Sequence, residues 1–167
     1  MNQGSESTTY IWLFAIGFPI FFTLVWIFVC SALSLSGGWA TLSKTYREEN
    51  PPGDYRWTWV SGRFRMFVNY NNCLKIHADE KGMHLSIMSL FKFNHPPLLI
   101  PWADVRVIKY GKYWFFWNEL KLSLGERDQV PIALYGSVAE EFRTASQEYR
   151  SNQKYRYDPN PDTLSRP

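Results

Sequence analysis

The feature that most constrains this chain is a long apolar segment near its start. Residues 10–33 read YIWLFAIGFPIFFTLVWIFVCSAL, and no charged side chain occurs from Ser7 to Ser43. A helix over this segment would be about 36 Å long, enough to cross the ~30 Å hydrocarbon core of a bilayer. Because an isolated segment in lipid satisfies its backbone hydrogen bonds only as a helix, the sequence predicts one transmembrane helix after a short N-terminal tail, residues 1–9.

A cleaved signal peptide is the main alternative to a retained membrane anchor. Signal peptides begin with basic residues, whereas residues 1–9 contain Glu6 and no Lys or Arg. The apolar stretch is also longer than the core of a signal peptide, which has about 7–15 residues. A lipoprotein cleavage site at Cys30 is disfavoured because the bulky Phe28 and Val29 precede it. We therefore predict that the helix is retained.

The charges that flank the segment predict its orientation. Basic side chains are absent before it and frequent in the chain that follows it. Basic residues are enriched on the cytoplasmic side of membrane helices. We therefore predict a single-pass protein of the cell membrane, with its N-terminus outside and everything after the helix in the cytoplasm. The basic residues that support this orientation are Lys44, Arg47, Arg56, Arg63 and Arg65.

Residues 34–59 are predicted to form a juxtamembrane helix and a linker. Trp39, Leu42 and Tyr46 fall on one stripe of a helix, and the Pro-Pro-Gly sequence at 51–53 ends it. Two placements of this helix remain open. Its apolar stripe lies among the lipid headgroups, or it docks on the domain that follows.

From about residue 60 the apolar pattern alternates, which is typical of strands with one buried face. Alternating runs flank a turn at residues 79–82 and a second turn at 125–129, and an amphipathic helix follows Ser137. We predict a mainly antiparallel β domain of six to seven strands, residues 60–150, closed by this C-terminal α-helix. The polar residues 151–167 are predicted to be a disordered or partner-bound tail.

The stretch NHPPLLIPWADV, residues 94–105, contains three prolines within a region of strand character. Proline cannot donate a ladder hydrogen bond, so within sheets it is confined to edges, strand starts and bulges. We interpret this stretch as a corner at which the chain leaves one sheet and enters another.

The order of these elements resembles that of bacterial membrane-anchored pleckstrin-homology-like (PH-like) domain proteins. The resemblance covers about residues 60–150. It is carried by Gly82 in a turn, by the sequence IPWADV at 100–105, by the hairpin at 120–134 and by the helix from Ser137. It implies two packed sheets or a partly open barrel. Because PH-like folds host lipid binding, peptide binding and scaffolding, the resemblance does not imply a single function.

Five consecutive aromatic side chains occur in the sequence GKYWFFWN. In a strand they point to both faces, so one set of rings meets something other than the core of its own sheet. We predict an interface with lipid or with another protein, although a strand buried on both faces would explain the same pattern. The interface candidates are Tyr113, Trp114, Phe115, Phe116 and Trp117.

Basic residues on the predicted strands suggest contacts with anionic lipid headgroups. Each Lys or Arg held near an acidic leaflet contributes on the order of 1 kcal/mol to binding. The alternative is that these side chains only solvate a strand face. The candidates are Arg63, Arg65, Lys109 and Lys112.

Two histidines face each other if the first hairpin keeps its apolar residues in register. Pairing Ile76 with Leu85 places His77 opposite His84 on the face away from the core, with Asp79 diagonal to them. Two imidazoles and a carboxylate are suitable ligands for zinc or copper. A solvated histidine pair is the commoner arrangement, so a metal site and a metal-dependent enzyme are kept as a remote alternative.

The sequence lacks the common catalytic motifs GxSxG, HExxH, GxxxxGK[ST] and GxGxxG, so it does not predict an enzyme. Its net charge of +3 is too small to predict nucleic-acid binding. We predict a non-enzymatic membrane protein without a cofactor, whose cytoplasmic domain binds another membrane protein as an accessory or scaffold subunit of a complex. The alternative is a module that senses anionic lipids at the inner leaflet.

Overall fold

The computed structural model of the protein describes residues 3–65, 67–113, 117–126 and 130–157, with the backbone alone for residues 3–9, 113 and 152–157. Three α-helices and seven strands lie within these ranges. The helices are α1 (Gln3–Gly37), α2 (Trp39–Tyr46) and α3 (Ser137–Tyr157), and the strands are β1 (Trp57–Phe64), β2 (Val68–Ala78), β3 (Gly82–Ile87), β4 (Leu98–Pro101), β5 (Val105–Tyr113), β6 (Trp117–Leu124) and β7 (Val130–Tyr135).

Helix α1 extends beyond the predicted segment at both ends and stops at Gly37. Among the described residues it is the one helix long and apolar enough to cross a membrane, over Tyr10–Gly37. The side chains of residues 10–25 are exposed, so no other described part of the protein covers them. Gly38 follows in the left-handed region, with φ of 85°, and turns the chain directly into α2.

The strands form one antiparallel sheet, whose order within the described ranges is β4-β3-β2-β1-β7-β6-β5. Strand β1 joins the two halves, because it pairs with β2 along its length and with β7 through residues 62–64. Two register shifts in the β1–β2 pairing accompany the curl of the sheet into a half-barrel. The prediction of a mainly antiparallel domain is confirmed, and of its two forms the partly open barrel is the correct one.

The corner at residues 94–105 differs from its prediction. β4 lies at one edge of the sheet and β5 at the other, so the chain passes between two edges of the same sheet. A 3₁₀ turn, Trp102–Asp104, makes the bend after Pro101. The indole of Trp102 is buried and donates a hydrogen bond to the carbonyl of Asp79 at 2.8 Å. The expectation of two sheets was wrong because the β1–β7 pairing that joins them is a long-range contact without a local sequence pattern.

The predicted register of the β2–β3 hairpin is confirmed, with His77 opposite His84. Gly82 ends the turn between these strands. A Cβ atom at this position would collide with the carbonyl oxygen of Ile100 in β4. Glycine is therefore required here by the close approach of the edge strand.

Helix α2 belongs to the core of the domain. Trp39 and Leu42 are completely buried, and the Trp39 ring lies 5.6 Å from Phe64 and 6.0 Å from Tyr70, measured between centroids. Of the two placements that the sequence left open, the structure therefore shows the docked one.

Helix α3 packs its apolar face against the core, as predicted. The ring of the buried Phe142 lies 5.8 Å from Trp57 and 6.0 Å from Trp102. Near its C-terminal end, Arg150 donates a hydrogen bond to the carbonyl of Val105 at the start of β5. The helix continues to Tyr157, so the first part of the predicted tail is helical, and residues 158–167 lie outside the described residues.

Candidate functional site

The first candidate site is the junction between α1 and the β domain. After the exposed residues 10–25, buried positions appear at Cys30, Ser34 and Gly37. Their spacing of three and four residues places them on one face of the helix. All three are small, and a Cβ atom at Gly37 would lie in van der Waals contact with Val68 Cγ1 and with the hydroxyl of Tyr70, at 3.4 Å from each. The C-terminal half of α1 therefore packs against the domain through this face.

Hydrogen bonds attach this half of the helix, together with α2, to the loop at residues 88–97 between β3 and β4. Three side chains donate to three backbone carbonyls at distances between 2.6 and 3.1 Å. These bonds join the loop to the helices at three points along its length. Trp26 Nε1 donates to the carbonyl of Leu90, Ser34 Oγ to that of Asn94, and Trp39 Nε1 to that of Pro96.

His95 is the centre of the same junction. It is buried, its Nε2 lies 2.8 Å from the hydroxyl of Tyr70, and its Nδ1 lies 2.9 Å from the carbonyl oxygen of Phe93. Burial lowers the pKa of His95, although the backbone carbonyls near its ring act in the opposite direction. The ring therefore connects β2, through Tyr70, to the loop between β3 and β4.

The second candidate site is a basic surface on the outward face of the sheet. The strand registers place Arg63, Ala133, Lys121 and Lys109 in one row across β1, β7, β6 and β5. The carboxylate of Glu119 lies 3.5 Å from Arg63 and 3.4 Å from Lys121. Lys109 is directly opposite Lys121, an arrangement of like charges that destabilises a sheet unless an anion lies nearby.

The structure therefore brings together only some of the predicted lipid-binding residues. Arg63 and Arg65 line a shallow concavity of about 340 Å³ together with Ile108 and Lys121. Lys109 is next to this group in the row, whereas Lys112 lies further along β5, opposite Asn118. The sequence interpretation missed Lys121, which the β5–β6 register would have added to the group.

Only the two ends of the aromatic block are described, and they pair with each other as the last pair of the β5–β6 ladder, Tyr113 with Trp117. Trp114, Phe115 and Phe116 are outside the described residues, as is the side chain of Tyr113. Trp117, paired with Tyr113, is 61% exposed. The other end of β6 leads to Glu126, whose N–H donates to the hydroxyl of Tyr46 in α2. The tip is therefore about 23 Å along the strand from the end that contacts α2.

The histidine pair occupies a covered face of the sheet rather than an open one. His84 is buried, and its Nδ1 lies 2.9 Å from both carboxylate oxygens of Glu48 in the linker after α2. Its Nε2 lies 3.0 Å from Asp79 Oδ2, an ion-pair distance without the alignment of a hydrogen bond. The ring of His77 is 5.6 Å from that of His84.

This arrangement leaves little room for a metal. Both ring nitrogens of His84 already face carboxylates, and the described residues contain no group of three His, Cys, Asp or Glu side chains that could hold a metal ion. Burial raises the pKa of Asp79, but backbone N–H groups of the turn and the neighbouring His84 outweigh it, so that the pKa is lowered overall. The cluster holds the linker to the hairpin.

Comparison with known proteins adds no relative. This chain matches no protein-family model, no curated protein and no solved structure. The function must therefore be inferred from the geometry of the junction, of the basic surface and of the exposed β5 strand.

Sequence reasoning missed the residues that dock α1 on the domain. Trp26 and Ser34 lie within or beside the apolar segment, where their polar groups have no partner in the local sequence. The sequence did contain an indication of a packed helix face. Trp26, Cys30 and Ser34 are spaced by four residues, and small residues such as Cys30 and Ser34 at this spacing favour close helix packing. The identity of the opposing loop could not be read from this signal.

Proposed function

We propose that this chain is a non-enzymatic, single-pass protein of the cell membrane, with its N-terminus outside and its β domain in the cytoplasm. The domain is PH-like and acts as a protein-interaction module, as an accessory or scaffold subunit of a membrane complex. The exposed apolar residues of α1 support the membrane anchor. The order of seven strands followed by a helix supports the PH-like assignment.

The observation that carries the proposal is the lysine pair beside exposed apolar residues on β5. Lys109 lies opposite Lys121, and Val107 and Ile108 next to it are exposed. Glu119, whose carboxylate lies 3.4 Å from Lys121, offsets only part of the repulsion between the two lysines, and the exposed side chains of Val107 and Ile108 remain in contact with water. An acidic partner with apolar side chains would relieve both costs at once.

The partner is therefore expected to present an acidic segment to β5 and the start of β6. Arg106, Lys109 and Lys112 provide the positive charge along β5. The exposed Trp117 adds an aromatic ring at the hairpin tip, and aromatic residues are enriched at the cores of protein interfaces. Since the hairpin tip is remote from α2, Trp117 is more accessible to a protein than to the leaflet in which α1 ends.

Photo-crosslinking tests this proposal directly. A photo-reactive residue replaces Ile108 (59% exposed) in the full chain, and a second variant carries it at Trp59 (63% exposed) on β1 as a matched control. We expect position 108 to crosslink to one protein through an acidic segment, and position 59 to give no such product. Equal crosslinking from both positions, or no product from position 108, would contradict the proposed surface.

Charge reversal provides the second test. The double substitution Lys109→Glu and Lys112→Glu is expected to reduce the amount of partner recovered in mild detergent at least about tenfold, which corresponds to about 1.4 kcal/mol. Lys81→Glu, at an exposed position in the β2–β3 turn, is the control and should leave recovery unchanged. Full recovery with the double variant would exclude the basic strand as the contact.

Anionic-lipid sensing is the second candidate function, and the position of Arg65 favours it. A Cβ atom on Gly38, just after α1, would lie 3.0 Å from Nε of Arg65, so this guanidinium is at the end of the proposed span. Native mass spectrometry of the full chain in nanodiscs with mixed lipids tests it. Retention of anionic lipid that is lost in Arg63→Gln with Arg65→Gln would support lipid sensing, and equal retention of both lipid classes would exclude it.

A further inference from the structure

The loop between β3 and β4 carries a second apolar surface next to α1. Its 3₁₀ turn, Ser89–Phe91, is followed by Lys92 and Phe93. Leu90 is 66% exposed and Phe93 is 48% exposed, while the Phe91 ring lies 5.2 Å from Trp26 in α1. Two large exposed apolar side chains in so short a loop indicate an apolar environment outside the protein.

The hydrogen bonds to α1 give the level of this loop along the helix. Trp26 bonds to the carbonyl of Leu90, and Ser34 bonds to that of Asn94. At 1.5 Å per residue, Trp26 is about 24 Å and Ser34 about 36 Å from Tyr10. A hydrocarbon core of about 30 Å that starts near Tyr10 therefore ends between these two levels. Leu90 falls on the lipid side of that boundary and Asn94 on the headgroup side.

The apolar surface of the loop is continuous with that of the helix. Phe14, Phe18, Phe22 and Trp26 form a ladder of rings along α1, with centroids 5.6 to 6.3 Å apart, and Phe91 continues it onto the domain. A lipid that covers the exposed rings of the helix therefore also reaches the loop. No separate partner is needed to explain why these side chains are exposed.

The polar side of the loop has the composition expected at the headgroups. Lys92 is exposed between Leu90 and Phe93. Lys92 also lines an open cleft of about 800 Å³ together with Ser43, Arg47 and Glu49. A lysine at this depth keeps its methylene groups in the apolar layer and its ammonium group among the headgroups.

We propose that residues 88–94 are a second membrane-binding element, which inserts Leu90 and Phe93 into the leaflet at the C-terminal end of α1. This inference rests on the proposed membrane crossing by α1. Because α1 is docked on the domain through Trp26 and Ser34, the two tilt together relative to the bilayer. A second attachment at the loop limits this tilt, and with it the height of the β5 surface above the leaflet.

Spin labelling of the full chain in liposomes tests the insertion. A nitroxide is attached to Leu90→Cys or Phe93→Cys, with Trp59→Cys (63% exposed) as the control of matched exposure on the sheet and Phe21→Cys as the control within α1. The native cysteines, Cys30 and Cys73, are buried, and the unsubstituted chain measures their background labelling. Collision rates with oxygen, which concentrates in lipid, are compared with those of a water-soluble nickel complex.

We expect the collision rate with oxygen to exceed that with the nickel complex at positions 21, 90 and 93, and the reverse at position 59. Labels at 90 and 93 that behave like the label at 59, while position 21 remains in lipid, would overturn the inserted loop and leave the membrane anchor intact. A label at position 21 that is open to the nickel complex would instead refute the crossing, and the loop insertion with it.

Discussion

The two edges of the sheet differ in how they are covered. At the β4 edge, Leu98 and Ile100 are fully buried. The chain after α2 pairs with this edge: Arg47 forms a β-bridge with Leu98, and the N–H of Glu48 donates to the carbonyl of Pro97 at 2.8 Å. At the β5 edge, residues 106–110 are all exposed. One edge is thus completed by the chain after α2. The other is contacted by α3 through Arg150 at Val105 and Arg143 at Tyr110, and the described part of the protein leaves residues 106–109 between them exposed.

The difference shows where an interaction surface can exist in so small a domain. The β4 edge is next to the junction with α1, and its side chains serve stability. The β5 edge carries lysines and a register shift between Val107 and Lys109, both of which discourage the pairing of one edge with another copy of itself. A surface that resists self-association yet exposes apolar residues is suited to a specific partner of opposite charge.

The largest difference is expected between two tryptophans. Trp39 is completely buried at the junction, whereas Trp59 is exposed on the sheet. Trp39→Ala should reduce the free energy of unfolding by about 3–5 kcal/mol, because it removes a core side chain. Trp59→Ala should change it by less than about 0.5 kcal/mol. Denaturant unfolding in mild detergent measures both, and similar losses in the two variants would refute a core that includes α2.

The two edges can be compared directly through an isoleucine in each. Ile100→Ala in β4 is expected to cost about 2–5 kcal/mol of stability, since its side chain is fully buried. Ile108→Ala in β5 is expected to cost about 0.5 kcal/mol or less while weakening binding to the partner. Thermal unfolding of the matched pair separates the two edges. An Ile108→Ala variant as unstable as Ile100→Ala would mean that the β5 edge is covered too.

Two adjacent glutamates sharpen the account of the covered edge. Glu48 bonds to the buried His84, and its neighbour Glu49 is exposed. Glu48→Ala leaves a buried ring nitrogen without its partner and should cost about 1–3 kcal/mol. Glu49→Ala is the control, with an expected change below about 0.5 kcal/mol. Equal small changes in both variants would show that the linker does not stabilise the hairpin.

The smallest effect concerns pH and the junction histidine. Because burial lowers the pKa of His95, the unfolded chain binds a proton more readily than the folded chain. The contribution of His95 to the free energy of unfolding should therefore be constant above the unfolded pKa of about 6.5 and should decrease as the pH falls below it. His95→Asn should remove this component between pH 5 and 8, and His77→Asn should retain it. An unchanged pH slope in His95→Asn would contradict the assignment.

The parts of the fold that local pattern controls were predictable. The alternation on both sides of the turn at 79–82 fixed the hairpin register, because a slip of one residue would move Ile76 and Leu85 out of the core. The amphipathic period similarly indicated α3. These elements bury a face that the sequence marks residue by residue.

The candidate sites were less predictable because they depend on long-range contacts. The single sheet follows from the pairing of β1 with β7, and the lysine pair follows from the register of β5 with β6 across a bulge. The docking of α1 on the loop depends on Trp26 and Ser34, which an apolar segment of this kind can accommodate without any partner. Nothing in the local sequence of either element indicates the other.

The membrane anchor is the claim on which the rest depends, and extraction of membranes from cells that express the full chain tests it most directly. After washing with alkaline carbonate, the intact mass of the protein in the pellet and in the supernatant is measured. We expect the chain in the pellet, with α1 still attached. Recovery in the supernatant, or of a product that has lost the Tyr10–Gly37 segment, would contradict the account.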